Sequence, residues 1–181
     1  MRKPRTLRWL LLAAVLAVAA VLLGFAAFRH FRASKEPGET LFVIQRSKNA
    51  NEVHYEVQLG ADGALARDPV VAYWIMKAED GRREDLTFME GKMAYGFDVS
   101  APDAAGECDL TLVAWKDRAI HLTRAGGRWR GRTTIDGKEA YVPRLFIQSE
   151  EGAVTPKVIF VDLFGEAVAG GKAVQEHVVR K

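Results

Sequence analysis

Between residues 108 and 142 the chain alternates apolar and polar residues and is punctuated by short turns, which restricts this stretch to one architecture. CDLTLVAW, AIHLTR, RWRGRTTI and KEAYV follow one another, separated by Lys116-Asp117, Gly126-Gly127 and Asp136-Gly137. Gly-Gly and Asp-Gly are two-residue hairpin turns, because both central positions take positive φ. An antiparallel meander follows, and the turns set its register. His121 then faces Arg132, Leu122 faces Gly131 and Thr123 faces Arg130. Ile120 faces Thr133, Arg132 lies beside Tyr141, and Thr134 beside Glu139. Side chains two apart share a face. One face therefore carries Ile120, Leu122, Trp129, Thr133, Ile135 and Val142, and the other His121, Thr123, Arg130, Arg132, Glu139 and Tyr141.

Period two also governs much of the remaining body. Val53, Tyr55, Val57 and Leu59 alternate with Glu52, His54, Glu56 and Gln58, which describes a half-solvated strand. It forms a hairpin with LFVIQ at 41–45 across RSKNAN. VVAYWIM at 70–76 is apolar on both faces and reads as a central strand. DLTFMEGKMA at 85–94 is the one helical segment, with Asp85 as its cap and Leu86, Met89 and Met93 on its apolar face. RLFIQ, KVIFVDLFGE and KAVQEHVVR add further strands. The expected fold is mainly β: an antiparallel β-barrel or β-sandwich of about eight or nine strands with one short helix.

Residues 1–35 are different in kind. Trp9 to Phe28, WLLLAAVLAVAAVLLGFAAF, is twenty residues without a charge, and such a helix covers the roughly 30 Å hydrocarbon layer. The run continues well past the small residues Ala17-Val18-Ala19, favouring an uncleaved anchor over a cleaved signal peptide. Four Lys and Arg precede the span and three follow it. This bias gives a single-pass anchor in the inner (cytoplasmic) membrane, with the domain facing the periplasm or cell exterior. Residues 36–40 form a linker, and 41–181 the β-rich extracytoplasmic domain.

Without the anchor's basic residues the body has 19 Lys and Arg against 23 Asp and Glu. Polyanion binding needs a concentrated positive footprint, so nucleic acid is not an expected partner. Cys108 is the only cysteine and reads as a small buried apolar residue.

The sequence has no nucleophile elbow, glycine-rich phosphate loop or H-E-x-x-H helix. His54-x-Glu56 offers two ligands where zinc requires three or four, so neither a metal nor another cofactor is expected. Two groups of residues remain. In His121, Arg132 and Tyr141 an arginine stands between two uncharged donors, a pattern that holds a carboxylate or phosphate when it lines a concave surface. In RSKNAN, Asn49 and Asn51 suit a hairpin loop while Arg46 and Lys48 make it cationic. These candidate residues suggest a non-enzymatic module binding an anionic small molecule or an envelope partner. Two alternatives stay open: an enzyme using His54 or His121 as general base, or a structural module of the envelope.

LFVIQRSKNANEVHY, VVAYWIMKAEDGRREDLTFMEGKMAYG and VIFVDLFGEAVAGGKAVQEHV together resemble a bacterial family known only as a domain of unknown function, DUF4833, over about residues 41–179. The unusual strings Arg46-Ser47-Lys48-Asn49 and Ala94-Tyr95-Gly96 carry the resemblance. It implies an extracytoplasmic, mostly β domain and supplies no catalytic residues.

Overall fold

A computed structural model of the chain describes residues 39–150 and 157–180. The anchor expected over 9–28 and most of the linker lie outside the described residues. Among the described residues no helix is long and apolar enough to cross a membrane.

Among the described residues eleven strands form one sheet that does not close. In chain order they are β1 (Thr40–Arg46), β2 (Glu52–Leu59), β3 (Leu65–Ile75), β4 (Arg83–Asp85), β5 (Phe97–Val99), β6 (Cys108–Leu112), β7 (Trp115–Ala125), β8 (Arg128–Ile135), β9 (Lys138–Ser149), β10 (Val158–Ala167) and β11 (Ala173–Val179). A single helix, α1 (Phe88–Met93), lies between β4 and β5. The strand count exceeds the expected eight or nine because β4 and β5 have only three residues each, too few for an alternation to register.

The long strand β9 organises the sheet. Its first half pairs with β8, up to Arg132 opposite Tyr141, and its second half pairs with β1 on the same edge, from Val43 opposite Arg144. Pro143 lies between the two partners, where its missing N–H interrupts neither ladder. β10 runs antiparallel along the other edge, with an irregularity between Phe164 and Glu166 opposite this handover. Gly165 occupies that irregularity, and a Cβ there would lie 2.7 Å from the Tyr141 carbonyl oxygen. One limb is thus β4-β3-β2-β1-β9-β10-β11 and the other β9-β8-β7-β6-β5. The pairing of β1 with β9 is parallel, so the expectation of a wholly antiparallel sheet is corrected. Parallel neighbours need a distant crossover, which adjacent turns do not reveal.

The limbs bury their apolar faces against each other. Tyr55 of β2 is fully buried and stacks on Phe42 at 4.4 Å between ring centroids. Its edge meets Phe97 of β5 at 5.8 Å, and its hydroxyl donates to the Tyr95 carbonyl at 2.7 Å. A buried tyrosine needs such a partner. Gly131 of β8 leaves room for Ile120 and Phe42, since a Cβ would lie 2.8 Å from Ile120 Cγ2.

The meander takes the register its turns dictate. His121 pairs with Arg132, Leu122 with Gly131 and Thr123 with Arg130; Arg132 pairs with Tyr141 and Thr134 with Glu139. Gly126, Gly127, Asp136 and Gly137 all have positive φ. Ile120, Leu122, Trp129, Thr133, Ile135 and Val142 are buried.

Three expectations are corrected. The turn before β7 is Val113-Ala114 and not Lys116-Asp117, with Leu112 opposite Trp115; burying Trp115 draws it into the strand. β3 is not central, because only the three-residue β4 lies beyond it. The helix starts after Thr87 and not Asp85: the Thr87 side chain accepts from the Glu90 N–H, and the Glu90 carboxylate accepts from the Thr87 N–H. This reciprocal capping stabilises the first turn. Asp85 instead ends β4, and the expected apolar face is not buried, since Met89 and Met93 are exposed.

Candidate functional site

RSKNAN joins β1 to β2, and the parity of β1 decides where Arg46 points. Ile44 faces the core, so Arg46, two residues on, projects to the same side at the strand's end. Its guanidinium lies 4.6 Å from the centre of the Trp74 ring, a cation–π distance. Trp74 meets the Tyr95 ring edge-on at 5.0 Å and donates through Nε1 to Glu90 of α1 at 3.1 Å. Burial pushes the Tyr95 hydroxyl up from its ordinary pKa against the opposing pull of Arg46. Among the described residues no carboxylate reaches ion-pair distance of Arg46 or Lys48, and Lys48 is exposed.

The asparagines build the loop. Asn49 Oδ1 accepts the Asn51 backbone N–H at 3.2 Å and Arg46 Nε at 3.4 Å. Asn51 is buried; its Oδ1 accepts the Ala78 N–H at 2.8 Å and its Nδ2 faces the Met76 sulfur at 3.5 Å. Asn51 therefore ties RSKNAN to the segment between β3 and β4.

The polar face of β2, which periodicity placed in solvent, is corrected by the structure: Glu52, Glu56 and Gln58 are buried and Leu59 is exposed. The nearly buried Glu52 sits 3.0 Å from His54 Nε2 and 2.6 Å from Lys77 Nζ, and accepts from Gln45 Nε2. Burial raises its pKa, but the bonds from Lys77, Gln45 and His54 outweigh it and hold the carboxyl below the ordinary range. His54-x-Glu56 does not act as a pair: Glu56 accepts from the Tyr73 hydroxyl, and the Arg83 guanidinium lies 3.5 Å from the Tyr73 ring centre.

His121, Arg132 and Tyr141 occupy one row across β7, β8 and β9, on the face opposite the core. His121 is held on both sides: Nδ1 is 2.8 Å from Asp109 Oδ1 and Nε2 is 2.9 Å from Glu107 Oε2. Burial lowers its pKa, but the two carboxylates outweigh it and raise it overall. Arg132 Nε is 3.5 Å from Glu139. Tyr141 carries the Arg130 guanidinium at 3.7 Å from its ring centre, and Arg130 reaches Glu166 at 3.3 Å. Carboxylates of the same chain thus meet both arginines. The two groups of candidate residues lie on different faces and do not form one site.

Asp103, Glu107 and His121 lie within 4.8 Å of one another. In its protonated form His121 donates to a carboxylate through each nitrogen and has no lone pair for a cation. Asp103 Oδ1 accepts the Ala105 and Glu107 N–H groups at 2.8 and 3.0 Å. This cluster reads as hydrogen-bonded and charge-paired. Cys108 is buried, and that burial, with Asp109 and Asp103 nearby, pushes its thiol up.

These features define an open, mainly β domain with an arginine–tryptophan stack at the end of β1 and carboxylate–histidine pairs on its outer faces. The chain belongs to the domain of unknown function family DUF4833, whose model matches residues 42–177. No curated protein and no solved structure matches it.

Proposed function

We propose that this is a membrane-anchored extracytoplasmic domain that binds an anionic small molecule or an envelope partner through the RSKNAN side, without catalysis. The observation that carries this reading is Arg46: a guanidinium on the core side of β1, stacked on Trp74 at 4.6 Å and reached by no carboxylate among the described residues. Stacking fixes the plane of a guanidinium while leaving its N–H edge to take a carboxylate or phosphate. Lys48 adds a second positive charge to the loop. The row His121, Arg132 and Tyr141 is a lesser contributor, because an incoming anion would have to displace Glu139 and Glu166.

The test is calorimetric titration of the full-length chain with phosphate and with citrate, beside an Arg46→Ala/Lys48→Ala variant. Binding by the parent and its loss in the variant, with little change in melting, is the expected outcome; equal binding by both removes the reading. The twenty-residue apolar run and its basic flanks support an inner-membrane anchor with the domain in the periplasm. A C-terminal alkaline phosphatase fusion, active only outside the cytoplasm, checks that orientation.

The enzymatic alternative draws on the contact between His54 Nε2 and Glu52 at 3.0 Å, because a carboxylate that orients an imidazole through one nitrogen leaves the other for a proton. His121 is ill suited to that role while both its nitrogens are engaged.

A further inference from the structure

The loop formed by residues 100–107 joins β5 to β6 and walls the gap where the sheet fails to close. On one side Ser100, Ala101 and Pro102 face Leu65 to Val70 of β3 across a cavity of about 760 Å³. On the other, Ala105, Gly106 and Glu107 face the turn at Asp62–Ala64 across about 290 Å³. The loop holds its own shape through the Asp103 N–H to the Glu107 carbonyl at 2.8 Å and the Gly106 N–H to the Asp103 carbonyl at 3.0 Å. Its side-chain attachment to β7 is concentrated in Glu107. That carboxylate accepts the Thr123 hydroxyl, the Arg124 N–H at 3.3 Å and His121 Nε2 at 2.9 Å.

We propose that His121 is a protonation-dependent latch that pins the loop 100–107 to β7 and thereby sets the width of the slot between β3 and β5. Only the imidazolium donates from both nitrogens, to Asp109 on β6 and Glu107 on the loop. The neutral ring keeps one N–H and turns a lone pair toward the other carboxylate, replacing a charge-assisted bond with repulsion. The groups facing His121 are Asp109 from β6, Glu107 and Asp103 from the loop, Thr123 from β7 itself, and Arg132 from β8, with Glu139 and Tyr141 of β9 behind Arg132. The three nearest charged groups are acidic and favour the imidazolium; Arg132, already paired with Glu139, opposes it. The signs define a window. The raised pKa of His121 keeps the latch closed below the ordinary histidine value and opens it as pH rises through the folded value. Glu107 is held below the ordinary range by the Thr123 hydroxyl, against burial, with help from His121, so its part is lost only in acid.

The test uses the full-length chain in detergent micelles and follows the His121 ring by NMR while amide exchange is measured from pH 5 to 9. His121 should titrate above an ordinary histidine. Protection factors of the Asp103, Ala105, Gly106 and Glu107 amides should fall about tenfold across that titration, the weight of one charge-assisted hydrogen bond, while those of β2 and β9 hold. In His121→Gln the pH dependence of loop protection should vanish. Glu107→Gln, which leaves the ring in place, should bring the His121 titration down toward the ordinary value. Titration at or below an ordinary histidine, loop protection indifferent to pH, or an unchanged profile in His121→Gln would each overturn the latch.

Discussion

The meander β6 to β9 and the seam where β9 exchanges partners share one strand but are specified in opposite ways. From β7 to β9 each pairing closes over a short turn, Gly126-Gly127 or Asp136-Gly137, and the positive φ of those residues aligns the strands through local geometry. At the seam Val43 meets Arg144, about a hundred residues on, and no turn connects them. What holds the seam is burial: Ile44, Leu145, Val161 and Leu163 lie in one core, and Pro143 and Gly165 sit where the ladder changes hands. Local chemistry sets register in one region and packing selects the partner in the other. Substitutions should therefore cost more at the seam than at the turns.

The largest expected effect is Leu145→Ala. Leu145 is 1% exposed on the strand that both limbs share, and truncating a buried leucine costs about 2–5 kcal/mol. Denaturant unfolding checks this, and a loss under about 1 kcal/mol would break the comparison, since a well-packed seam cannot lose that side chain cheaply. Next comes Asn51→Ala. It removes a buried side chain together with its 2.8 Å bond to the Ala78 N–H, a loss expected to cost about 0.5–3 kcal/mol. Gly137→Ala follows at about 1–2 kcal/mol, the cost of a Cβ in the left-handed region; open space around the position leaves backbone conformation as the only cause. If Gly137→Ala outweighed Leu145→Ala, turn chemistry would be holding more of the fold than the shared strand.

The same contrast explains what sequence reasoning reached. The row His121, Arg132 and Tyr141 was legible because two glycine turns fix it. Asp109 opposite His121 was not, because the turn before β7 contains no glycine and was expected at Lys116-Asp117; the turn lies at Val113-Ala114, and an irregularity between Thr111 and Leu112 then shifts the register to bring Asp109 alongside. Glu107 was invisible for another reason, since it reaches His121 from a loop with no period. β1 beside β9 could not be read at all, for apolar alternation states which face is buried and never which strand lies next to it. At RSKNAN, parity placed Arg46 on the inward side, but Trp74 beneath it and Glu90 beyond depend on tertiary packing.

A smaller, pH-dependent effect belongs to Glu52 of β2. Its carboxyl is held below the ordinary range despite burial, by Lys77, Gln45 and His54. A depressed pKa contributes stability above the ordinary carboxylate range that is lost as pH falls through the folded value. Melting temperature should therefore drop in acid, and Glu52→Gln should reduce the slope. An unchanged acid limb would mean that other carboxylates govern it.

The smallest stability effect should come from Arg46→Ala, and that smallness makes the position informative. Arg46 makes a stack at 4.6 Å on Trp74 and a long bond to Asn49 at 3.4 Å. A partly exposed cation–π contact contributes about 0.5–1 kcal/mol, and Asn51 continues to hold the loop without it. Chemical unfolding should show a loss of no more than about 1 kcal/mol, well below Leu145→Ala. An arginine that contributes so little to folding, yet is placed on a core-side aromatic without a carboxylate partner among the described residues, has its N–H edge available to a ligand. A loss above about 2 kcal/mol, beyond what an exposed stack supplies, would instead make Arg46 a structural element of the β1–β3 end and remove the reason for assigning anion binding there.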